Sequence, residues 1–122
     1  MYNNQKFLNL VAQLSKNVQE IDVMLLKSLL MQKKDNFVLI DIRELNERQS
    51  QGHINQDIHL SKGILERDIA KYVIDNNKKI ILYCSGGYRS IIAAYNLLQM
   101  DYKQVYSLNG GFKSWQMLLK QQ

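Results

Sequence analysis

Apolar residues occur along the chain in short groups whose lengths and spacings alternate between those of strands and those of helices. Two continuous apolar runs, in the segments 37–40 and 79–83, are typical of strands buried on both faces in a parallel sheet. Residues 18–21 and 104–106 predict two shorter strands. Helical spacing predicts helices over about 22–33, 44–50, 61–74, 89–100 and 112–119. Because strands alternate with helices, we predict a three-layer α/β domain whose central, mostly parallel sheet is flanked by helices on both faces.

The same spacing predicts which helical side chains face the core. In the helix that follows the predicted N-cap Asp22, they are Met24, Leu25, Leu29 and Leu30. In the helix that Ser61 is expected to cap, they are Ile64, Leu65, Ile69, Tyr72 and Val73. The segment 52–60 shows no regular pattern and is predicted to be irregular, and 109–111 is predicted to be a turn.

The start of the chain is predicted to be an appendage. Phe7, Leu10, Val11 and Leu14 lie at helical spacing. Residues 1–17 are therefore expected to form an N-terminal helical extension of a domain that spans residues 18–122. Such an amphipathic helix packs on its own domain or on a partner, and packing on its own domain is the favoured interpretation.

Composition narrows the classes of function. The 122 residues carry a formal net charge of +5, but no basic stripe with interleaved aromatic residues is present, so no nucleic-acid partner is expected. No apolar segment approaches the ~20 residues that cross a membrane, and the N-terminus lacks the pattern of a secretory signal. One cysteine excludes an internal disulfide, and with only His53 and His59 no metal site is expected. We predict a cytoplasmic protein without a membrane partner.

Candidate chemistry is concentrated in the segment Cys84-Ser85-Gly86-Gly87-Tyr88-Arg89-Ser90. It directly follows a predicted parallel strand, where this architecture usually binds ligands. The thiolate is the reactive form of cysteine, and loop N–H groups, a helix N-terminus and the charge of Arg89 all favour an anion there. Gly86 and Gly87 permit the backbone angles of a tight loop. This combination predicts an anion-binding thiol site.

The segment resembles the active-site loop of the rhodanese family: Cys, two variable residues, Gly, one variable residue, Arg, then Ser or Thr. Two further blocks are similar to family signatures. Residues 39–44, with Glu47 and Gly52-His53-Ile54, resemble its Asp-x-Arg-Glu…Glu…Gly-His-Ile pattern, and residues 108–115 resemble its C-terminal Gly-Gly…Trp block. The three blocks are ordered and spaced as in the family. The resemblance covers about residues 18–120.

The resemblance implies a rhodanese-like fold and a thiosulfate sulfurtransferase. Cys84 would take sulfane sulfur from a small anionic donor, hold it as a persulfide, and pass it to cyanide or to a small or protein thiol. Substrate would be bound by the rest of the loop: Ser85, Gly86, Gly87, Tyr88, Arg89 and Ser90. No cofactor or metal is implied. The resemblance also allows a protein partner that accepts the sulfur in a relay.

The chain differs from the rhodanese pattern at two places, and two alternative functions stay open. The chain departs from the family pattern at residues 55–61, where the loop path is expected to differ, and at Arg48, where an aromatic residue is common. One alternative is a non-enzymatic or relay-type binding module. Another is a Cys-dependent phosphatase or arsenate reductase, but phosphatase loops place five residues before the arginine, and here there are four.

Other polar and aromatic residues are assigned mainly to the scaffold. Asp41 and Arg43 follow a buried strand and are expected to pair with each other or with neighbours. His53 is expected in a structural turn, Glu44 and Glu47 on an exposed helix, and Trp115 against the sheet. Tyr88, inside the loop, is expected to shape access of the acceptor.

Overall fold

The computed structural model describes residues 4–32 and 35–121. Its helices are α1 (Gln5–Ser15), α2 (Val23–Met31), α3 (Leu45–Gln51), α4 (Lys62–Asp68), α5 (Arg89–Gln99) and α6 (Gly111–Lys120). Its strands are β1 (Gln19–Ile21), β2 (Phe37–Asp41), β3 (Ile58–His59), β4 (Lys79–Tyr83) and β5 (Gln104–Leu108). A 3₁₀ turn, Ile69–Lys71, follows α4.

The strands form one sheet in the order β1-β5-β4-β2-β3, and every pairing in it is parallel. The central strand β4 is paired along its length with β2 on one side and β5 on the other, so Tyr83 lies opposite Asp41, and Leu82 opposite Ser107. Since all strands point the same way, the residues that follow β2, β4 and β5 meet at one edge. The predicted α/β architecture is confirmed, with a fully parallel sheet.

The two faces of the sheet bury separate apolar cores. Side chains of β4 alternate between them: Ile80 and Leu82 join the first core, and Ile81 and Tyr83 join the second. The first core packs under α4 and α5, and the second under α2 and α6. Helices cover both faces of the sheet, which makes three layers, and the carboxyl ends of the strands lie between the two helical layers.

Three side chains that the helical spacing placed in the core are exposed, so those predictions are wrong. In α2, Leu26 is fully buried, while Met24 and Leu25 are largely exposed. Almost every position of α2 is apolar, so the spacing did not select a single inward stripe. Tyr72 is 55% exposed, because α4 ends at Asp68 and the 3₁₀ turn redirects the chain. Lys33, the predicted end of α2, lies outside the described residues.

The segment predicted to be irregular contains the short edge strand β3, which pairs Ile58 with Ile40 and His59 with Asp41. Two residues are too few for a pattern of alternation, so this strand carried no sequence signal.

The N-terminal helix packs on its own domain, as predicted. Val11 is buried in the first core, and Phe7 and Leu14 pack against it from the same side of α1. Asn4 caps the helix by accepting a hydrogen bond from the Phe7 N–H at 3.2 Å. The helix contacts α5, which begins at the cysteine loop. The division into an extension, 1–17, and a domain, 18–122, stays a prediction, and residues 1–3 lie outside the described residues.

Candidate active site

Cys84 lies between the end of β4 and the start of α5 and is 1% exposed. Its Sγ accepts a hydrogen bond from the Gly87 N–H at 3.2 Å. The φ of Gly87 is +96°, and a Cβ there would lie 3.0 Å from the Gly110 backbone nitrogen. Only glycine therefore allows this N–H to turn back toward the sulfur without strain. The amide and the N-terminal end of α5 both favour negative charge on Sγ.

A pair of buried hydroxyls stands behind the sulfur. Cys84 Sγ lies 3.5 Å from Ser90 Oγ, which lies 2.7 Å from Ser107 Oγ. Both serines are fully buried. Because a hydroxyl can donate or accept a hydrogen bond, this pair of hydroxyls can bond to Cys84 as either a thiol or a thiolate. Sequence reasoning placed Ser90 in the loop but missed Ser107, whose only signal was a polar residue in a buried strand.

The first turn of α6 holds the loop from the other side. The Phe112 N–H donates to Cys84 O at 2.8 Å, and the Lys113 N–H donates to Ser85 O at 3.0 Å. These N–H groups have no partner within their own helix. The contact therefore satisfies the N–H groups of α6 and the carbonyl groups of the cysteine loop at the same time. The Gly110-Gly111 turn, which the sequence assigned only to chain reversal, thus fixes the path of the cysteine loop.

Gly111→Ala should destabilise the protein by about 2 to 5 kcal/mol, which thermal denaturation would measure. Gly111 has a φ of +59°, and an added Cβ would lie 2.5 Å from Cys84 O and 2.6 Å from Ser85 O. Gly63→Ala in α4 is the matched control, because its Cβ would meet nothing within 4 Å and alanine favours a helix. Equal melting temperatures for the two variants would contradict the proposed role of the turn.

The guanidinium of Arg89 is paired with Glu47, which the sequence placed on an exposed helix. Two N–H groups of Arg89 donate to the two Glu47 oxygens, both at 2.9 Å. The hydrogen bonds from Arg89 hold the pKa of Glu47 below its usual range, and Glu47 raises the pKa of Arg89. Both groups are charged at neutral pH. Arg89 therefore lies beside the thiol with part of its hydrogen-bonding capacity already used, a feature that the sequence did not indicate.

An open cleft of about 360 Å³ leads to the sulfur. It is lined by Phe7, Cys84, Ser85, Gly86, Tyr88, Arg89 and Lys113. Of the predicted site residues, Gly87 touches the sulfur from within the loop, and Ser90 is buried behind it. Tyr88 is 52% exposed at the cleft. Phe7 and Lys113 were not among the predicted site residues, because they come from the N-terminal helix and from α6.

Asp41 and Arg43 form a fully buried ion pair beside this site. Arg43 donates through Nε and Nη2 to the two carboxylate oxygens at 3.0 and 2.9 Å, and also to Gly52 O at 2.7 Å. Its guanidinium carbon lies 4.3 Å from the centre of the Phe112 ring, at the start of α6. The expected scaffold role agrees with this geometry.

The two departures from the family pattern contact each other. Arg48 donates to both oxygens of Asp57, at 2.8 and 3.0 Å, and to Asp41 at 3.0 Å. Asp57 also accepts from the Tyr83 hydroxyl at 2.7 Å. Arg48 therefore links α3 to the atypical loop at residues 55–61. His53 Nδ1 lies 2.9 Å from Asp57 Oδ1, and this histidine lines a different cleft, with Trp115.

Neither a metal site nor a membrane-spanning element emerges from the described ranges. Within residues 4–32 and 35–121, no three His, Cys, Asp or Glu side chains are grouped so that they could hold a metal ion. No helix in those ranges has the length and apolar character needed to cross a membrane.

Comparisons with known proteins agree with this architecture. Solved structures with the same fold include a protein of unknown function from Rhodopseudomonas palustris, described as a possible tyrosine phosphatase. It shares 23% identity over 97% of this chain and 94% of its own, with a TM-score of 0.83. The rhodanese-like domain of the Anabaena protein Alr3790 shares 23% identity over 81% of this chain and 74% of its own, with a TM-score of 0.71.

Sequence similarity is more specific. The thiosulfate sulfurtransferase GlpE of Coxiella burnetii is 35% identical over 83 residues, which are 68% of this chain and 75% of the relative. The model of the rhodanese-like domain matches residues 24–118. This match runs from α2 into α6 and includes the cysteine loop, the glycine turn that holds it, and the Asp41–Arg43 pair. The chain therefore belongs to the rhodanese family.

Proposed function

We propose that this protein is a sulfurtransferase that moves sulfane sulfur from thiosulfate, or a persulfide donor, to a thiophilic acceptor through a persulfide on Cys84. The observation that carries the proposal is the Cys84 thiol lining an open cleft, with its Sγ 3.2 Å from the Gly87 N–H. The similarity to a curated thiosulfate sulfurtransferase supports thiosulfate as the donor.

In the loading step, the Cys84 thiolate attacks the outer sulfur of thiosulfate. A bond forms between Sγ and that sulfur, the sulfur–sulfur bond of thiosulfate breaks, and its electron pair leaves with sulfite: Cys–S⁻ + S–SO₃²⁻ → Cys–S–S⁻ + SO₃²⁻. The amides of residues 85–90 and the N-terminal end of α5 stabilise the persulfide anion. Arg89 attracts the sulfonate group of the donor.

In the discharge step, an acceptor attacks the outer persulfide sulfur. With cyanide, Cys–S–S⁻ + CN⁻ → Cys–S⁻ + SCN⁻, and the electron pair of the broken sulfur–sulfur bond returns to Sγ. Ser90 and Ser107 sit behind Sγ, where a hydroxyl can donate to the regenerated thiolate. Both steps use the same sulfur atom, which gives ping-pong kinetics.

Intact-mass spectrometry after incubation with thiosulfate tests this proposal. The protein should gain the mass of one sulfur atom, and cyanide should remove it as thiocyanate. Because Cys84 is the only cysteine, the gain also identifies the carrier. No gain from thiosulfate or from a persulfide donor would overturn the proposal and favour a binding module. A gain that cyanide cannot discharge would instead favour a sulfur relay with a protein acceptor.

The same samples test the phosphatase alternative. Four residues separate Cys84 from Arg89, so the loop is shorter than those that surround a tetrahedral phosphate. Hydrolysis of p-nitrophenyl phosphate without any gain of sulfur would replace the sulfurtransferase proposal with a Cys-dependent phosphatase.

Glu47→Gln should lower the KM for thiosulfate about threefold, because it removes one partly screened negative charge from the side of the donor site. The amide keeps an acceptor for Arg89. Steady-state thiocyanate formation measures the effect, and it should shrink at high salt. Asp35→Asn, at a fully exposed position before β2, makes the same change in net charge at the opposite, amino-terminal edge of the sheet and should leave KM unaltered. A higher KM in Glu47→Gln would mean that the carboxylate orients Arg89 for binding.

A further inference from the structure

The N-terminal helix contributes a wall to the cleft in front of Cys84. Phe7 lines this cleft together with the cysteine loop and Lys113. The region that matches the rhodanese-like domain begins at residue 24, so α1 adds a side chain from outside the matched region to the site.

The position of Phe7 is fixed by the fold. Its ring packs against the first core, next to the buried Val11, and its backbone N–H is held by the Asn4 side chain at 3.2 Å. Leu14 anchors the same helix two turns later. A side chain that is both anchored and open to the cleft is suited to contact a bound molecule.

The cleft is larger than the small ions of the proposed reaction require. Its volume of about 360 Å³ is in the range of pockets for organic ligands, roughly 300–1,000 Å³. Cyanide and thiosulfate are far smaller than this. The two aromatic rings of Phe7 and Tyr88 offer surface for an organic body, which neither ion can use.

Positive charge remains available in the cleft. Arg89 is paired with Glu47, but among the described residues Lys113 has no carboxylate within ion-pair distance. Its side chain is exposed at the mouth of the cleft. An ammonium group beside two aromatic rings favours an organic molecule that carries a negative charge.

We propose that Phe7 determines acceptor specificity, and that the cleft accepts a low-molecular-weight organic thiol bearing an anionic group. This inference rests on the proposed function. The organic body packs between Phe7 and Tyr88, its charge faces Lys113, and its thiolate attacks the outer persulfide sulfur: Cys–S–S⁻ + RS⁻ → Cys–S⁻ + RSS⁻. The bond between the two sulfurs of the persulfide breaks, and its electron pair returns to Sγ.

The test compares discharge of the loaded protein by 4-mercaptobenzoate and by cyanide. Phe7→Ala should lower the ratio of the two kcat/KM values about fivefold to tenfold, since only the aryl thiol contacts the ring. Phe7→Tyr keeps the ring and should retain the ratio. Leu14→Ala is the matched control, because it weakens the packing of α1 on the same core but lies outside the cleft.

The outcomes separate the two proposals. If the wild-type protein gains no sulfur, the proposed function fails. If it loads and discharges normally but Phe7→Ala keeps the wild-type ratio, or Leu14→Ala lowers it equally, Phe7 does not set specificity. Lys113→Met should lower the preference for 4-mercaptobenzoate over neutral benzenethiol, and an unchanged preference would overturn the requirement for an anionic group.

Discussion

Cys84→Ser should abolish the gain of sulfur from thiosulfate and lower thiocyanate formation by roughly 10⁴-fold or more, as expected when a nucleophile is removed. The serine hydroxyl can occupy the same place between the Gly87 N–H and the Ser90 hydroxyl. At neutral pH, however, it is not ionised and cannot hold a persulfide. Intact mass and thiocyanate assays measure the two losses separately.

The variant also needs evidence that it is folded. A hydroxyl is smaller than a thiol and retains both hydrogen bonds, so the denaturation midpoint should stay close to that of the wild type. Tyr72→Phe is a suitable control substitution, because Tyr72 is exposed and lies outside the residues that line the cleft. Thiocyanate formation by folded Cys84→Ser at the wild-type rate would exclude Cys84 as the carrier.

The sequence predicted the elements that determine the fold. Buried strands such as β4 are continuous apolar runs, and that pattern alone implies helices on both faces. The orientation of α2 was wrong because an almost wholly apolar helix has several equivalent stripes. The edge strand β3 is stabilised by its neighbour β2, not by any pattern of its own.

The site was predictable where its residues are contiguous. Cys84, Gly87 and Arg89 carry their signal within one loop, whose spacing follows from the need to turn N–H groups toward one sulfur. The contacts of Glu47, Ser107 and Phe7 depend on which elements are neighbours in space. Glu47 reaches Arg89 across 42 residues of sequence, and no local pattern encodes that distance.

Arg43→Met should destabilise the protein by about 3 to 5 kcal/mol, because it leaves the Asp41 carboxylate buried after its main partner is removed. A domain of this size has a total stability of roughly 5–15 kcal/mol, so the loss is a large fraction. Chemical denaturation at neutral pH measures it. Lys103→Met removes an ammonium group from a pair with Asp101 in which both side chains are more than half exposed, and it should leave the midpoint unchanged.

Adding Asp41→Asn to Arg43→Met should restore part of the lost stability, because it removes a buried charge that is left with Arg48 as its remaining ion-pair partner. The contrary result would be simple additivity. If Asp41→Asn lowers the free energy of unfolding by the same amount in Arg43→Met as in the wild type, the two groups are not coupled.

The dependence of this effect on pH follows from the ionisation of Asp41. Burial acts to raise its pKa, but the hydrogen bonds and charge of Arg43, with a further bond from Arg48, outweigh burial and hold the pKa below its usual range. Ionised Asp41 therefore stabilises the folded protein above its unfolded pKa of about 3.9, and this contribution is lost as the pH falls through the lower folded value. In Arg43→Met the pKa should rise, so the difference between variant and wild type should narrow toward pH 3. A difference that stays constant from pH 7 to pH 3 would mean that Arg43 stabilises the protein through packing on Phe112 and its bond to Gly52, and not through the charge of Asp41.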